Sequence, residues 1–460
     1  MKKESTLFLT MALAASTLLA IISSCSDESI ALVNPDVSLR DNQSDLSGEE
    51  KAEKVLRRFL EGLKSNSTTR SDITRFKVSD IRKKTTAVYH SNSPSTRSIG
   101  YSLPVYELTL QNDDNSTGFA VIAESPLESL VMAYAPVGAI SDTTYNKGLA
   151  VFFREFADYT EKMMEITNNN SAVTRADIWQ NRWENFYYYK VSNSTEYVRD
   201  LNQYEIDNNA PGFPNAIVDY STTIGTVIPA VWNQTSPYNN NVPYYLPGTN
   251  EHVRVGCFPV ALGQIMSYYK TNNNYNWNIL TATPSISNNT TSSVEVARLL
   301  RDISIEVKTN YYPETNQGAT IVDSMAPTIR KFGLNAKETN LGNASCIDSI
   351  ANNLIKNHPV LIIGDNSGSG GNREAHIWVI DAMITQKWWY YYAERIGSNQ
   401  PPYTIHRVSR DRYEGKFNHC NWGWGGHSNG WYYSFTPTFT NDNIVSFVYN
   451  KILFTQIYPL

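Results

Sequence analysis

The stretch from Val255 to Met266 places a cysteine where its thiol could act as a nucleophile. Gly256 precedes Cys257, and an apolar run that predicts a helix follows directly. Pro259 fits the first turn of that helix, where no backbone N–H is needed. The unpaired N–H groups and the positive end of the helix dipole favour a thiolate over a thiol there. The alternative is a small buried cysteine that begins a core helix, because free cysteines are often buried.

Catalysis by a cysteine also needs a base, a group that orients the base, and donors for the oxyanion. His376 stands at the start of an apolar run that predicts a strand, and Asn421 begins a string rich in tryptophan and glycine. Papain-like enzymes have a cysteine, a histidine and an asparagine in this order. Taken alone, His376 also fits a hydrogen-bonded core histidine, and the string at Asn421 also fits a tight turn with packed indoles.

Four segments of the chain extend this pattern beyond three isolated residues. They are Trp232-Asn233-Gln234, Gly256-Cys257 with Gln264 in the following helix, Ala375-His376-Ile377-Trp378-Val379-Ile380-Asp381, and Asn421-Trp422-Gly423-Trp424-Gly425-Gly426. Together they resemble the streptopain family of secreted cysteine peptidases, and the tryptophan–glycine string is the most distinctive of the four. The resemblance implies a papain-like α+β catalytic domain with thiol peptidase activity.

The resemblance also implies a role for each matching residue. Cys257 would be the nucleophile, His376 the general base and then acid, and Gln234 would form the oxyanion hole with the backbone N–H of the cysteine. Asn421 would orient the imidazole, and Trp422 would shield that contact from water. The residues expected to border the substrate groove are Ala375, Gln317 and Gly318.

The chain departs from the family's pattern at three places. Phe258 and Pro259 follow the cysteine where the family tends to have smaller residues, which predicts a reshaped groove with the chemistry intact. Ala375 stands where the family often has glycine, and its methyl group would narrow the approach to His376. An aromatic insertion over about residues 387–416 separates the histidine and asparagine segments, and we expect a hairpin near the active site there.

The N-terminus carries the features of an export signal. Lys2 and Lys3 precede an apolar run that is too short for a stable membrane anchor. Ile22-Ser23-Ser24-Cys25 resembles the lipobox of bacterial lipoproteins, which implies cleavage before Cys25 and lipidation of its thiol. Ser26-Asp27-Glu28 resembles the surface-export signal of Bacteroides-type lipoproteins, so we expect an outer-membrane or cell-surface lipoprotein. Cleavage without lipidation is the alternative.

Between the signal and the candidate site, the pattern predicts a small α+β region. Ser47-Gly48-Glu49-Glu50 is a capping box that begins a helix. Strands over 103–110, 118–123 and 130–134 and a helix over 149–164 follow, and this architecture resembles the family's inhibitory propeptide. We therefore expect a signal peptide (1–24), a polar tether (25–46), a propeptide domain (47–174), a processing linker (175–220) and a papain-like peptidase domain (221–460).

Within the last of these domains, further helices and strands surround the candidate site. A capping box at Ser292 to Glu295 predicts a helix whose apolar face carries Val294, Ala297, Leu300 and Ile303. Residues 311–320 are predicted to be a loop. A helix that contains or follows Pro327 is expected to end at Gly333. Another helix is predicted over 347–356, with strands over 359–364, 376–380, 431–435 and 444–457.

The overall composition argues against several classes of protein. A net charge of −5 lacks the basic character of a nucleic-acid-binding protein. The cysteines Cys25, Cys257, Cys346 and Cys420 are too few for a disulfide framework in 460 residues, although a Cys346–Cys420 bridge stays open. There is no CxxC pair and the histidines are scattered, so neither a structural zinc site nor another cofactor is expected.

The sequence thus predicts a lipid-anchored cysteine endopeptidase that is made as an inactive precursor. Its partners would be protein or peptide substrates and its own propeptide, which would block the groove or hold Cys257 and His376 apart. Cleavage between about residues 175 and 220 would release activity. Two alternatives stay open: a papain-like amidase or acyltransferase that acts on peptidoglycan or small peptides, and a non-catalytic surface binding protein.

Overall fold

An amphipathic helix, α1 (Gly48–Asn66), begins at the predicted capping box. The backbone N–H of Ser47 donates to the Glu50 carboxylate at 2.8 Å, and the N–H of Glu50 donates to the Ser47 hydroxyl at 3.3 Å. These reciprocal bonds satisfy N–H groups that the first helical turn leaves free. The face that α1 buries consists of Ala52, Leu56, Phe59, Leu60 and Leu63.

The computed structural model describes residues 47–66, 76–84, 104–124, 129–153, 156, 217–220, 223–340, 346–365, 375–395, 405–434 and 452–460. We call the described residues up to 156 the N-terminal region, and those from 217 onward the C-terminal region. The predicted signal peptide, the tether with Cys25 and most of the processing linker lie outside these residues. No described helix is long and apolar enough to cross a membrane.

The N-terminal region places α1 against four antiparallel strands. These are β1 (Phe76–Lys84), β2 (Val105–Asn112), β3 (Thr117–Glu124) and β4 (Ser129–Ala135). The sequence predicted the last three and missed β1, whose exposed alternate positions leave only a weak apolar pattern. A short 3-10 turn over Ile140–Thr144 follows, and residues 147–153 are helical.

The C-terminal region combines helices with a second set of strands. Its helices are α2 (Cys257–Tyr269), α3 (Trp277–Leu280), α4 (Thr291–Glu306), α5 (Met325–Lys331) and α6 (Cys346–Leu354). Its strands are β5 (Ile217–Tyr220), β6 (Ile224–Gly225), β7 (Asn310–Tyr312), β8 (Gln317–Ala319), β9 (Lys337–Asn340), β10 (Val360–Asp365), β11 (Ala375–Arg395), β12 (Ile405–Asn421), β13 (Gly430–Tyr433) and β14 (Ile452–Thr455). The predicted α+β class is therefore confirmed.

One antiparallel sheet joins the two regions. Its strand order is β1-β2-β3-β4-β13-β12-β11-β10-β14-β9, with β5 and β6 also paired to β11. The junction is the ladder between β4 and β13, in which Trp431 pairs with Tyr134 and Tyr432 pairs with Ala133. The long pairing of β11 with β12 forms the hairpin that was expected from the aromatic insertion.

Two apolar cores lie on this framework. The first contains α1 and β2–β4 side chains together with Trp378, Trp422, Trp424 and Tyr432 of the C-terminal region. The second contains the buried faces of α2, α4 and α5 and draws its buried members from residues 228–457 alone. The candidate site lies where α2 of the second core meets β11, which contributes to both.

Three local predictions for the C-terminal region were wrong in detail. Helix α4 is capped by a reciprocal pair between Thr290 and Ser293, because Glu295 instead bonds Arg298 and the N–H of Asn276. With the cap two residues earlier, Val294 faces solvent with 69% of its surface exposed. The predicted loop at 311–320 is largely the β7–β8 hairpin, whose turn includes Asn316 at a φ of 52°.

Candidate active site

Helix α2 begins at Cys257, as the sequence predicted. The residue before it, Gly256, has a φ of 103°, a left-handed conformation that disfavours any side chain. A Cβ atom at this glycine would also lie 3.1 Å from the carbonyl oxygen of Gly318. Two glycines in close approach therefore set the start of the helix against β8, which brings the predicted groove residue Gly318 next to the cysteine.

The thiol of Cys257 lies against the backbone of β11. Burial raises the pKa of this thiol above its ordinary value, and the backbone N–H groups of Ile377, Phe258 and Cys257 itself only partly oppose that change. We expected the helix end to favour a thiolate, whereas in this structure desolvation outweighs that effect. The side chain is thus held as a thiol.

His376 lies near the start of β11, immediately before the residue that contacts the thiol. Its ring is stacked between two indoles, with ring-centroid distances of 6.2 Å to Trp378 and 6.1 Å to Trp424. The Nε2 atom lies 2.9 Å from the backbone carbonyl oxygen of Trp422. Because a carbonyl oxygen can only accept, Nε2 carries the proton and Nδ1 carries the lone pair.

Burial keeps the imidazole of His376 neutral. Desolvation lowers its pKa to about 4, and the hydrogen bond to the carbonyl of Trp422 only partly opposes that change. A cysteine–histidine pair works as a thiolate and an imidazolium, which requires the opposite shift in both groups. In this structure both partners are uncharged at neutral pH.

Asn421 is not bonded to His376 here, contrary to the predicted orienting contact. Its Nδ2 donates to the carbonyl of Ala230 at 2.9 Å, and its Oδ1 accepts from Gln264 and Asn429, each at 3.0 Å. The histidine nitrogen bonds the carbonyl of the next residue, Trp422, instead. The orienting role of Asn421 therefore stays a prediction. It requires the imidazole to move from the carbonyl oxygen of Trp422 to Oδ1 of Asn421.

Gln234 is held close to the nucleophile by backbone contacts on both sides. Its carbonyl accepts from the N–H of Val255 at 3.0 Å, and the carbonyl of Trp232 accepts from the N–H of Gly425 at 2.9 Å. The side chain of Gln234 is 5% exposed. These bonds link its loop both to the segment that leads into Cys257 and to the tryptophan–glycine string, in keeping with the predicted oxyanion-hole role.

The tryptophan–glycine string forms a tight turn after β12. Gly423, Gly425 and Gly426 have φ values of 73°, 67° and 88°, which explains why glycine occupies these positions. The Trp422 indole is 1% exposed, and its Nε1 donates to the carbonyl of Ser428 at 2.8 Å. The Trp422 carbonyl accepts from His376 and its ring lies 4.9 Å from that of Trp378, while the predicted shielding role stays a prediction.

The N-terminal region packs directly on the histidine side of the site. A Cβ atom at Gly148 would lie 2.5 Å from the Trp422 ring and 2.7 Å from Cδ2 of His376, so only a glycine fits here. Nearby, the Tyr145 ring meets the edge of Trp424 at 5.5 Å. The Asp142 carboxylate accepts from the Ser428 hydroxyl at 2.8 Å. These contacts hold the segment against the turn that contains the indoles.

Sequence reasoning gave no role to two buried polar groups beside the site. Gln264 projects from α2 and donates to both Asn421 and the carbonyl of Ala230. Asp381 on β11 bonds His419 on β12 at 2.6 Å and the N–H of Ile228 at 2.7 Å. Both lie within motifs that the sequence singled out, and a charged or amide side chain inside an apolar run was the available signal.

The remaining predictions concern the groove, the cysteines and metal binding. Ala375 and Gln317 are exposed, and Phe258, expected to reshape the groove, is fully buried in the second core instead. Cys420 is buried, and because the side chain of Cys346 lies outside the described residues, the Cys346–Cys420 bridge stays open. In the part of the chain that is described, no cluster of three histidine, cysteine or acidic side chains could hold a metal ion.

A known protein family matches the part of the chain that contains these site residues. A model of the peptidase C10 family matches residues 232–273 and 270–432. Streptopain of Streptococcus pyogenes serotype M1 is 24% identical over 242 residues, which cover 44% of this chain and 52% of that protein. The chain thus spans about half the length of this curated relative.

Two solved structures from Prevotella intermedia are also similar to this chain. Active wild-type interpain A cysteine protease has 18% identity and a TM-score of 0.36, with 52% of this chain and 96% of that chain covered. A prointerpain A fragment has 15% identity and a TM-score of 0.42, with 80% of this chain and 98% of that chain covered.

Proposed function

We propose that the protein is a cysteine peptidase made as an inactive precursor, and the match of a peptidase C10 family model to residues 232–273 and 270–432 supports this proposal. One observation carries the proposal: the backbone N–H of Ile377, the residue after His376, is among the groups that lower the pKa of the Cys257 thiol, which places that thiol beside β11. This supports a site in which a nucleophile and a base from distant parts of the chain act together beside β11.

In the active form, the Cys257 thiolate attacks the carbonyl carbon of a peptide bond and forms a C–S bond. The resulting oxyanion accepts hydrogen bonds from the N–H of Cys257 and the side chain of Gln234. Protonated His376 gives its proton to the leaving amine as the C–N bond breaks. The imidazole then takes a proton from water, whose hydroxide breaks the C–S bond of the thioester, releases a carboxylic acid that ionises in solvent, and restores the thiolate–imidazolium pair.

The inactive form is explained by the protonation and position of the same groups. The imidazole donates to the Trp422 carbonyl, its pKa is about 4, and Gly148 packs against its ring. As long as the N-terminal region stays in place, His376 can neither take the proton of Cys257 nor reach Asn421. Removal of that region exposes the ring, raises its pKa and allows it to turn toward the asparagine.

The proposal is tested with the full chain, processed by added trypsin that is then fully inhibited, on casein as the substrate. We expect processed wild type to digest casein and the Cys257→Ala variant to be inactive, with a loss of at least about 10⁴-fold. Cys420→Ala is the matched control, because it removes another buried cysteine side chain and should keep activity. Casein digestion by processed Cys257→Ala would refute the assignment of the nucleophile.

We also propose that the protein is exported, lipidated at Cys25 and held at the outer membrane or cell surface, with release after processing. This rests on the apolar N-terminal run and the lipobox-like Ile22-Ser23-Ser24-Cys25, which lie outside the described residues. Metabolic labelling with a palmitate analogue should mark the wild-type protein in membranes and leave Cys25→Ser unlabelled. Equal labelling of the two proteins would rule out this anchor.

A further inference from the structure

Arg254 carries a charge beside the site for which the structure provides no anion. The residue stands three positions before Cys257, and its guanidinium carbon lies 4.9 Å from the centroid of the Trp424 ring. Its Nε atom is buried and has no hydrogen-bond partner among the described residues. Burial is the cause that lowers the pKa of this guanidinium, with no carboxylate raising it.

The acidic side chains on neighbouring elements have other partners. Asp142 accepts from Ser428 and from the N–H of Ala139, while Asp381 bonds His419 and the N–H of Ile228. No ion pair of Arg254 occurs in the part of the chain that the structure describes. A partly buried guanidinium without an anion is costly, because its lost hydration is not replaced.

The position of Arg254 points to the substrate groove. Its guanidinium packs on Trp424, whose ring in turn stacks on His376 at 6.1 Å, so one indole separates the cation from the base. The backbone of Arg254 is fixed by its N–H, which donates to Asn316 Oδ1 at 3.0 Å. Its carbonyl oxygen would lie 3.0 Å from a Cβ atom at Gly318. The residue is thus part of the wall that the β7–β8 hairpin forms with the segment before Cys257.

From this placement we propose that Arg254 is a specificity-determining residue that selects peptide substrates with an aspartate or glutamate side chain close to the scissile bond. The inference rests on the proposed peptidase function and names the substrate class of that same site. A guanidinium offers donors in a planar fork that matches a carboxylate, and the Trp424 ring holds that plane in place. An acidic side chain in the groove would supply the anion that this guanidinium lacks.

The test uses processed enzyme and pairs of internally quenched peptides that differ only by Glu or Gln at one position flanking the scissile bond. At one position we expect wild type to favour the Glu peptide by about tenfold or more in kcat/KM. Arg254→Gln should reduce this ratio to about one, and Arg254→Lys should keep part of it, since a point charge remains. Added salt should lower the wild-type ratio.

The matched control is Arg301→Gln, which removes a cation that lies 5.9 Å from the Tyr311 ring and should leave the ratio at the wild-type value. A wild-type ratio of one at every position overturns the inference. So does an Arg254→Gln enzyme that loses activity on both peptides equally, because the arginine would then only support Trp424. If Cys257→Ala cleaves the peptides as well as wild type does, the peptidase assignment fails, which is a different result.

Discussion

Cys257 and His376, the two sides of the candidate site, are supported by different apolar cores. Cys257 begins a helix whose core draws its buried members from residues 228–457 alone. His376, by contrast, is stacked between Trp378 and Trp424, which belong to a core shared with α1 and with β2–β4. Loss of the N-terminal region would therefore leave the nucleophile's support intact and remove packing from the base. Under the proposed function, the change between inactive and active forms would therefore occur on the histidine side.

The first experiment weakens the nucleophile side of the site, whose supporting contacts should already be in place in the precursor. We expect Gln234→Ala to lower kcat of the processed enzyme by about 100- to 1,000-fold, because one oxyanion donor is lost. Stopped assays on a peptide substrate measure the change, with Asn240→Ala in the same loop, an exposed position, as the control. A Gln234→Ala enzyme within tenfold of wild type would mean that the oxyanion is bound elsewhere.

The second experiment disturbs the histidine side, where the N-terminal region packs on the Trp422 and His376 rings. In the precursor, Gly148→Leu should lower the free energy of unfolding by about 1–3 kcal/mol, because the new side chain overlaps the Trp422 and His376 rings. Urea denaturation measures the loss, and processing should release activity faster in this variant. Ser141→Ala, exposed on the same segment, is the control. Unchanged stability would show that Gly148 does not pack on the histidine.

The third experiment uses pH to compare the halves. His376 has a pKa of about 4 in the folded precursor and an ordinary value of 6.5 when unfolded, so the unfolded chain binds the extra proton between these values. Precursor stability should therefore be fully present above about pH 6.5 and fall by about 1.4 kcal/mol per pH unit toward pH 4. Urea titrations at several pH values test this. A His376→Asn precursor with the same slope would assign the effect to other groups.

The fourth and smallest effect concerns the thiol itself. Since burial raises the pKa of Cys257 above 9.0 in the precursor, alkylation by iodoacetamide at neutral pH should be slow. Processing should speed it up, because the exposed histidine can then stabilise the thiolate. Mass spectrometry of the labelled peptide follows the rate, with Cys257→Ala to exclude labelling of Cys420. Equal alkylation rates before and after processing would contradict the proposal that activation occurs through a change at His376.

Local features of the site were predictable from the sequence because they depend on neighbouring residues. The capping box at Ser47, the start of α2 at Cys257 and the position of His376 near the start of β11 follow from short patterns, and all three are confirmed. The glycines after Trp422 likewise take the positive φ values that only glycine adopts easily.

Features that depend on distant contacts or on the state of the molecule were not predictable. The cap of α4 shifted because Glu295 found a better partner in Arg298 and the N–H of Asn276. The pairing of β4 with β13 joins parts of the chain far apart in sequence. The His376 ring bonds the Trp422 carbonyl and not Asn421, and no local sequence pattern encodes that choice.

The ladder between β4 and β13 also has a mechanical meaning. It contains two residue pairs, whereas β2 and β3 share seven. A force that pulls the N-terminal region away would be borne by few hydrogen bonds at this ladder. The strand pairs on either side are longer, with six residue pairs between β3 and β4 and four between β12 and β13. The sheet is therefore continuous, but under such a force we expect the two regions to separate first at this short ladder.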